Sequence, residues 1–316
     1  MSNELIDVAL ESYFSRLAPG TKSVRIHMAG GGEPTFAFAT LKYAVTEAKA
    51  HGQRRGIECA FSMATNGCYG KVIREFVSHN IQSVSLSFDG PPDIQNLHRP
   101  LPAGRGSFDS VFATAKYFHA NGVNFGIRTT VSDYSLEHLK NIVDFFVLHF
   151  PGTRVALEYL TPHGRALRDD FLKSPDKRRL AEQLIMLFDY TKNLPITIVN
   201  AASAEYGNVR PIFCTSVGVP NWTVSVDGSL VACARDGGPK AFIYGNVDLT
   251  TRTVNIDEAK VAGLREMNVL NYPECEECFA KYHCAGDCPD RRLTYKTDCD
   301  AVRMVGKALL NTKIDA

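Results

Sequence analysis

The sequence has no long apolar run and no excess of charge of either sign. No stretch of its 316 residues approaches the roughly 18 consecutive apolar residues of a membrane-spanning helix. The first residues lack the basic segment and apolar core of a secretory signal. Lysine and arginine number 35 against 34 aspartates and glutamates, a net charge of +1, so nothing draws the whole chain to nucleic acid or anionic membrane. We therefore expect a cytoplasmic protein that binds neither.

The two common glycine-rich nucleotide motifs are also missing. Neither GxxxxGK[ST] nor GxGxxG occurs in the chain, which argues against a phosphate loop. Hydrophobic residues make up 45% and charged residues 22%, the composition of an ordinary globular protein and not of a disordered one. The length suits a barrel-type domain with a small appendage.

The first two thirds of the chain alternate β-rich runs with helical runs. The predicted strands cover residues 24–28, 57–63, 83–88, 125–131 and 155–160. Apolar residues at helical spacing follow each of them. Five such units predict parallel strands with crossover helices, in either a barrel or a doubly wound sheet. The chain opens on a predicted helix at about residues 4–17, as though the first strand of the repeat were missing.

Glycines and polar residues collect near the ends of the predicted strands, where parallel α/β folds bind ligands. These clusters are Gly30-Gly31-Gly32-Glu33-Pro34, Thr65-Asn66-Gly67, Ser87-Phe88-Asp89-Gly90 and Arg128-Thr129-Thr130. Glycine lets a ligand approach the backbone closely, and Glu33 could pair with an amino group. Glycine and asparagine also form ordinary turns, so each cluster alone admits that interpretation. Gly-Gly-Glu-Pro is a less usual way to enter a helix.

Most of the nine cysteines fall in the last third of the chain. Cys59 and Cys68 lie earlier and are interpreted as packing or incidental thiols. The other seven are Cys214, Cys233, Cys275, Cys278, Cys284, Cys288 and Cys299. The odd total and the lack of a secretion signal favour a metal site over a disulfide scaffold. We divide the chain into an α/β domain over residues 1–200 and a cysteine-rich domain over residues 201–316.

The spacing of these cysteines favours iron–sulfur clusters over zinc. Cys214 and Cys233 flank a predicted hairpin at Asp227-Gly228, and the pattern CxxCx5Cx3C follows. A four-cysteine zinc ribbon would need two CxxC-like knuckles, but the chain has one. Two clusters would use the seven thiols better, although one of them would be a ligand short.

The combination resembles a known family. Gly31-Gly32-Glu33-Pro34 is similar to the GGE motif of radical S-adenosylmethionine enzymes. Residues 85–90 look like the segment of the fourth strand in the same family. The pattern Cys214-x13-Gly228-x4-Cys233, followed by the later cysteines, matches the seven-cysteine SPASM motif of sulfatase-maturing and peptide-modifying members. The resemblance covers about residues 20–300, and the cysteine pattern is its specific part. It implies a partial parallel (β/α) barrel with a small cysteine-rich C-terminal domain.

The resemblance also implies a cofactor, clusters and a reaction. Gly31, Gly32 and Glu33 would receive the amino group of S-adenosylmethionine, with Asn66, Ser87 and Arg128 nearby. One auxiliary 4Fe–4S cluster would be held by Cys275, Cys278, Cys284 and Cys299, and the other by Cys214, Cys233 and Cys288. Cleavage of the cofactor would give a radical that abstracts hydrogen from a peptide or protein substrate. An electron donor such as flavodoxin or ferredoxin would be needed.

One motif of the family does not occur in the printed sequence. The CxxxCxxC loop, which holds the cofactor-cleaving cluster, is absent from these 316 residues. Because a first strand also looks missing, we expect the chain to be N-terminally short, with a third 4Fe–4S cluster only where the upstream segment is present. The alternatives are a non-catalytic homologue that binds peptides or acts as a scaffold, and an unrelated zinc-stabilised α/β protein.

Overall fold

The computed structural model describes residues 1–28, 32–161, 171–200, 209–219, 222–233, 242–295 and 299–314. Within them, no helix is long and apolar enough to cross a membrane. The helices of the first part are α1 Asn3–Ser15, α2 Phe38–Arg55, α3 Lys71–Asn80, α4 Pro92–His98, α5 Phe108–Ala120, α6 Asp133–Leu136, α7 Leu139–His149 and α8 Lys177–Thr191.

Six parallel strands build the main sheet, and they lie in the order of the chain. They are β1 Ser23–Met28, β2 Glu58–Thr65, β3 Ser83–Ser87, β4 Phe125–Val131, β5 Arg154–Tyr159 and β6 Thr197–Asn200. Each strand pairs in parallel with the next. A doubly wound sheet would reverse its strand order at a switch point, and this sheet does not. The partial parallel (β/α) barrel expected from the sequence is confirmed.

The two faces of this sheet differ in polarity because side chains alternate along a strand. Leu86, Ile127 and Leu157 are buried against the helices in the main apolar core. Their neighbours Ser87 and Arg128 therefore point to the opposite, concave face, where they lie side by side in register. The concave face is thus polar and accessible, as a ligand-binding face requires.

A smaller antiparallel sheet follows, with strand order β10-β9-β8-β7. Its strands are β7 Thr223–Val224, β8 Ser229–Val231, β9 Ile243–Asp248 and β10 Thr253–Ile256. The remaining helices are α9 Thr215–Gly218, α10 Glu258–Arg265, α11 Lys281–Cys284, α12 Pro289–Thr294 and α13 Cys299–Ile314. The hairpin predicted at Asp227-Gly228 is present. Gly228 has a φ of 87°, and the backbone N–H of Ser225 donates to Ser229 O at 2.9 Å.

The first and last helices each pack against the other part of the chain. Leu5 and Val8 of α1 are buried among residues of the small sheet. Ala301 and Val305 of α13 are buried in the core of the barrel, together with Leu184 of α8. Residues 201–208, where the predicted domain division falls, lie outside the described residues, and the division stays a prediction.

Two helix N-termini differ in how they are capped. Helix α8 starts at Lys177, and the Asp176 carboxylate caps it by accepting from the backbone N–H of Arg179 at 2.8 Å. Ser107 does precede α5, but its hydroxyl does not cap that helix. It accepts from the Gln95 side-chain amide at 2.9 Å instead.

Candidate functional site

An open cavity of about 400 Å³ lies at the carboxyl ends of β2 to β5. Residues at the carboxyl ends of these four strands line it: Asn66, Asp89, Thr130, Ser132 and Leu160. Side chains of α4 and of the segment after it, including Gln95, His98 and Arg99, form another wall. Ligands of parallel α/β barrels bind at this end of the strands, so this cavity is the candidate substrate site.

The Glu33 carboxylate connects the end of β1 to the end of β2. Its Oε1 accepts from the Thr35 N–H at 3.1 Å, the Thr35 hydroxyl at 2.7 Å and the Thr65 hydroxyl at 2.8 Å. Its Oε2 accepts from the Asn66 N–H at 2.6 Å. A carboxylate offers about four acceptor positions, two on each oxygen. Oε1 is fully used, whereas Oε2 accepts one bond and keeps a position for an incoming ammonium group.

The other predicted cofactor-binding residues fall into two places. Gly31 lies outside the described residues, and Gly32 has a φ of +128° that side-chain-bearing residues rarely adopt. Asn66 contacts Glu33 through its backbone, and its Oδ1 accepts from the Cys68 N–H at 2.8 Å. Ser87 and the exposed Arg128 stand together on the concave face, farther along the sheet. Five of the six predicted residues are described, and they lie along the edge formed by the carboxyl ends of β1 to β4.

A buried network around Asp89 stabilises the cavity wall. The Asp89 carboxylate is 0% exposed and accepts from Arg99 Nε at 2.7 Å, from Arg99 Nη2 at 3.2 Å and from the Thr130 N–H at 2.7 Å. His98 Nδ1 hydrogen-bonds the same carboxylate at 3.2 Å, and its Nε2 hydrogen-bonds Ser132 Oγ at 2.9 Å. Burial alone would raise the pKa of Asp89, but Arg99 and His98 outweigh it and hold the pKa below its usual value.

Sequence reasoning missed this network. It placed Asp89 with Ser87 at the end of a predicted strand and did not connect it to His98. A signal was present in the sequence, because His98 and Arg99 stand at the end of the short helix α4 that follows Asp89-Gly90. A short helix after a strand can bring residues at its far end back beside the end of that strand.

Four of the seven C-terminal cysteines converge on one small cavity, here called the four-cysteine site: Cys275, Cys278, Cys284 and Cys299. Arg292 and Arg303 also line it. Burial raises the pKa of Cys284 to about 11 and also raises the pKa values of Cys275 and Cys299. Metal binding at this site would displace the protons of these thiols.

The donor set of the four-cysteine site fits a cluster better than a single ion. Among the described residues, no three His, Cys, Asp or Glu side chains meet closely enough to hold one metal ion. Zinc would require its sulfurs about 2.3 Å from one point. Thiols spread around a cavity suit the larger iron–sulfur core, which four cysteines hold from its corners.

The other three cysteines, here called the three-cysteine site, belong to different segments. Cys214 directly precedes α9, and its thiol donates to Ser216 Oγ at 3.1 Å. Cys233 follows β8 and packs against the apolar core of the small sheet. Cys288 directly precedes α12. Cys59 belongs to β2, apart from both sites, and packs against the apolar core there.

Comparison with known proteins agrees with this architecture. No protein-family model matches the chain. A cysteine-type anaerobic sulfatase-maturating enzyme of Clostridium perfringens is 28% identical over 141 residues, which cover 44% of this chain and 38% of that relative. The serine-type enzyme of Klebsiella aerogenes is 23% identical over 303 residues, covering 91% of this chain and 73% of the relative.

A solved structure, native anSMEcpe with bound AdoMet, superimposes over 100% of this chain and 90% of its own, with a TM-score of 0.77 and 19% sequence identity. The chain resembles radical S-adenosylmethionine enzymes. This confirms the resemblance that the glycine and cysteine motifs indicated. The radical S-adenosylmethionine proteins that it matches are enzymes, which supports the same class here.

Proposed function

We propose that this chain is a radical S-adenosylmethionine enzyme that modifies a peptide or protein by hydrogen-atom abstraction. One observation carries the proposal. Four cysteines, separated by up to 24 positions in the sequence, converge on one cavity beside a barrel whose carboxyl edge is open. A cluster-bearing domain next to an open barrel is the arrangement that the reaction needs.

The cofactor would lie along the barrel edge formed by β1 to β4. Gly31, Gly32 and Glu33 would receive its amino group, and Asn66 would lie next to them. The Glu33 side chain holds β1 and β2 together and so fixes the shape of this edge. Ser87 and Arg128 offer a hydroxyl and a guanidinium on the concave face, where a carboxylate would be bound.

The clusters would be held by the two cysteine sites. The four-cysteine site would hold one 4Fe–4S cluster, and Cys214, Cys233 and Cys288 would hold the other. When bound, these groups supply one-electron chemistry, and S-adenosylmethionine supplies the radical. The chain itself would bind and orient the substrate, exclude water and set the surroundings of each cluster.

The substrate would enter the cavity at the carboxyl ends of β2 to β5. Its volume of about 400 Å³ is in the usual range of ligand-binding cavities, so a short peptide segment would fit there. A peptide or protein substrate is also what the names of the sulfatase-maturating relatives suggest. An external electron donor such as flavodoxin or ferredoxin would serve the clusters.

A second candidate is a non-catalytic homologue that binds peptides and keeps the clusters. The observation in its favour is that the 316 residues contain no CxxxCxxC. Both candidates predict the same cluster content. They differ in whether S-adenosylmethionine can be cleaved on this barrel.

The test begins with anaerobic reconstitution of the chain with iron and sulfide. We expect about eight irons per chain, as two 4Fe–4S clusters require, binding of S-adenosylmethionine, and no cleavage by this chain alone. A fusion that adds the CxxxCxxC segment of a sulfatase-maturating relative should then form 5′-deoxyadenosine under reductant. A fusion that loads a third cluster and still forms none would favour the non-catalytic homologue.

A further inference from the structure

Arg291 is a buried arginine at the contact between the barrel and the cysteine-rich part. It is 4% exposed, and its Nη2 donates to Asp287 Oδ1 at 2.7 Å. Its Nη1 lies 3.6 Å from Glu158 Oε2. Glu158 belongs to β5 and stands in register with Thr130, which lines the substrate cavity. Arg291 therefore links the cysteine-rich segment to the wall of the cavity.

One donor of this guanidinium has no acceptor. Among the described residues, the buried Nε of Arg291 makes no hydrogen bond, and the same holds for Nε of Arg210. Both guanidinium groups lie over the ring of Phe213, at 5.8 and 5.5 Å from its centre. Folded proteins rarely leave buried donors without partners. Two such donors around one ring point to an acceptor that belongs between them.

The surroundings identify the chemistry of that acceptor. Phe213 directly precedes Cys214, and Cys288 lies three positions before Arg291, so two ligands of the three-cysteine site flank the orphaned donors. The Asp287 carboxylate already accepts from Nη2, so the acceptor that Nε lacks is a further group, and it would lie close to sulfur.

The backbone beneath Arg291 is held in an uncommon conformation. Ala285, Gly286 and Asp287 have φ values of 54°, 81° and 68°, three consecutive left-handed residues of which two carry side chains. Such residues persist where the surrounding structure requires them, often at functional sites. Here they bring the Asp287 carboxylate to both Arg291 and the N–H of Cys288.

We propose that Arg291 is a positioning residue that donates its Nε–H to the iron–sulfur group of the three-cysteine site. Through Glu158 it also fixes that group relative to the substrate cavity. The inference rests on the proposed function, since it requires a cluster at this site. Hydrogen bonds to sulfur and nearby positive charge favour the reduced, more negative state of a cluster. Arg291 therefore raises the reduction potential of the cluster held by the three-cysteine site.

The test compares Arg291→Lys and Glu158→Gln with wild type in the reconstituted chain. Lysine keeps the charge and a contact with Asp287 but removes the Nε donor. For Arg291→Lys we expect full iron content and a lower reduction potential for one of the two clusters. The potential is measured by redox titration monitored by electron paramagnetic resonance. Glu158→Gln removes a negative charge and should shift the same cluster to a higher potential. Arg265→Lys, an exposed arginine of α10, is the matched control and should change neither.

The outcomes separate the inference from the proposed function. Loss of about half of the iron in Arg291→Lys, with the four-cysteine cluster retained, would also support the contact. Unchanged potentials for both clusters, or loss of all iron, would overturn the role of Arg291. If Cys288→Ser leaves the iron content of the chain unchanged, the three-cysteine cluster itself is refuted.

Discussion

Asp89→Asn tests whether the buried network holds the wall of the substrate cavity. The substitution keeps the size of the side chain but replaces a carboxylate oxygen by an NH2 group. That group would face Arg99 or His98, which both approach the carboxylate as partners. Two donors would then meet, and the positive charge of Arg99 would lose its buried counterion.

The magnitude follows from burial. Breaking a buried ion pair by removing one partner costs about 3–5 kcal/mol. The Asp89 side chain is 0% exposed, but that of Arg99 is 31% exposed and can regain water. We therefore expect a loss near the lower end, about 3 kcal/mol. Since domains are stable by only about 5–15 kcal/mol, this is a large fraction of the total.

The assay uses two probes, because a chain with two parts need not unfold in one step. Circular dichroism follows the helices of the barrel, and Trp222, the single tryptophan, reports on the small sheet against which it packs. Asp89→Asn should lower the urea midpoint of the barrel transition and leave that of Trp222 less affected. Asp93 is exposed in the first turn of α4, the helix that carries His98. The control Asp93→Asn should lower the free energy of unfolding by at most about 1 kcal/mol.

The pH dependence has a defined sign. The pKa of Asp89 in the folded protein is depressed, so its stabilisation is present above the ordinary aspartate value of about 3.9. It is lost as the pH falls through the folded pKa. The difference between wild type and Asp89→Asn should therefore be full at pH 7 and shrink in acid. Equal stability of the two proteins at pH 7 would refute the network as a source of stability.

Three further predictions concern the sites. Cys278→Ser should remove roughly four of about eight irons, whereas Cys59→Ser should remove none, since Cys59 lies in an apolar core; equal losses would refute the ligand assignment. Glu33→Gln should cost about 1–3 kcal/mol and weaken S-adenosylmethionine binding in equilibrium dialysis, because an amide cannot accept all four hydrogen bonds. The three-cysteine cluster should be lost first under oxygen or chelator, and a structure with four protein ligands on both clusters would contradict this.

The barrel could be predicted from the sequence because its signals are local. Each of the first five strands is a short β-rich run that ends at glycine or polar residues, and β4 matches its predicted bounds of 125–131. The sixth strand, Thr197–Asn200, has only four residues, too few to show alternation. The order of the strands in the sheet distinguishes a barrel from a doubly wound sheet. This order depends on pairing between distant segments of the chain, so no local sequence pattern predicts it.

The packing of the two chain ends could not be predicted from local sequence patterns. The apolar residues of α1 indicate that one face of the helix is buried. In the structure Leu5 and Val8 of that face lie against β-strands more than 200 positions later in the chain. The apolar face is the same whatever packs against it, because amphipathicity reports that a face is buried and not what buries it.

The same distinction applies to the charged residues between the two parts. Arg291 and Glu158 are ordinary surface residue types, and nothing in their immediate sequence marks them as buried. Their burial follows from the barrel wall and the cysteine-rich segment being placed together, which leaves Arg291 with two carboxylates on its Nη groups and an unpaired Nε. A charged group is buried at such a contact only with compensating partners. The unpaired Nε of Arg291 therefore lacks one partner, and the cluster proposed for the three-cysteine site would supply it.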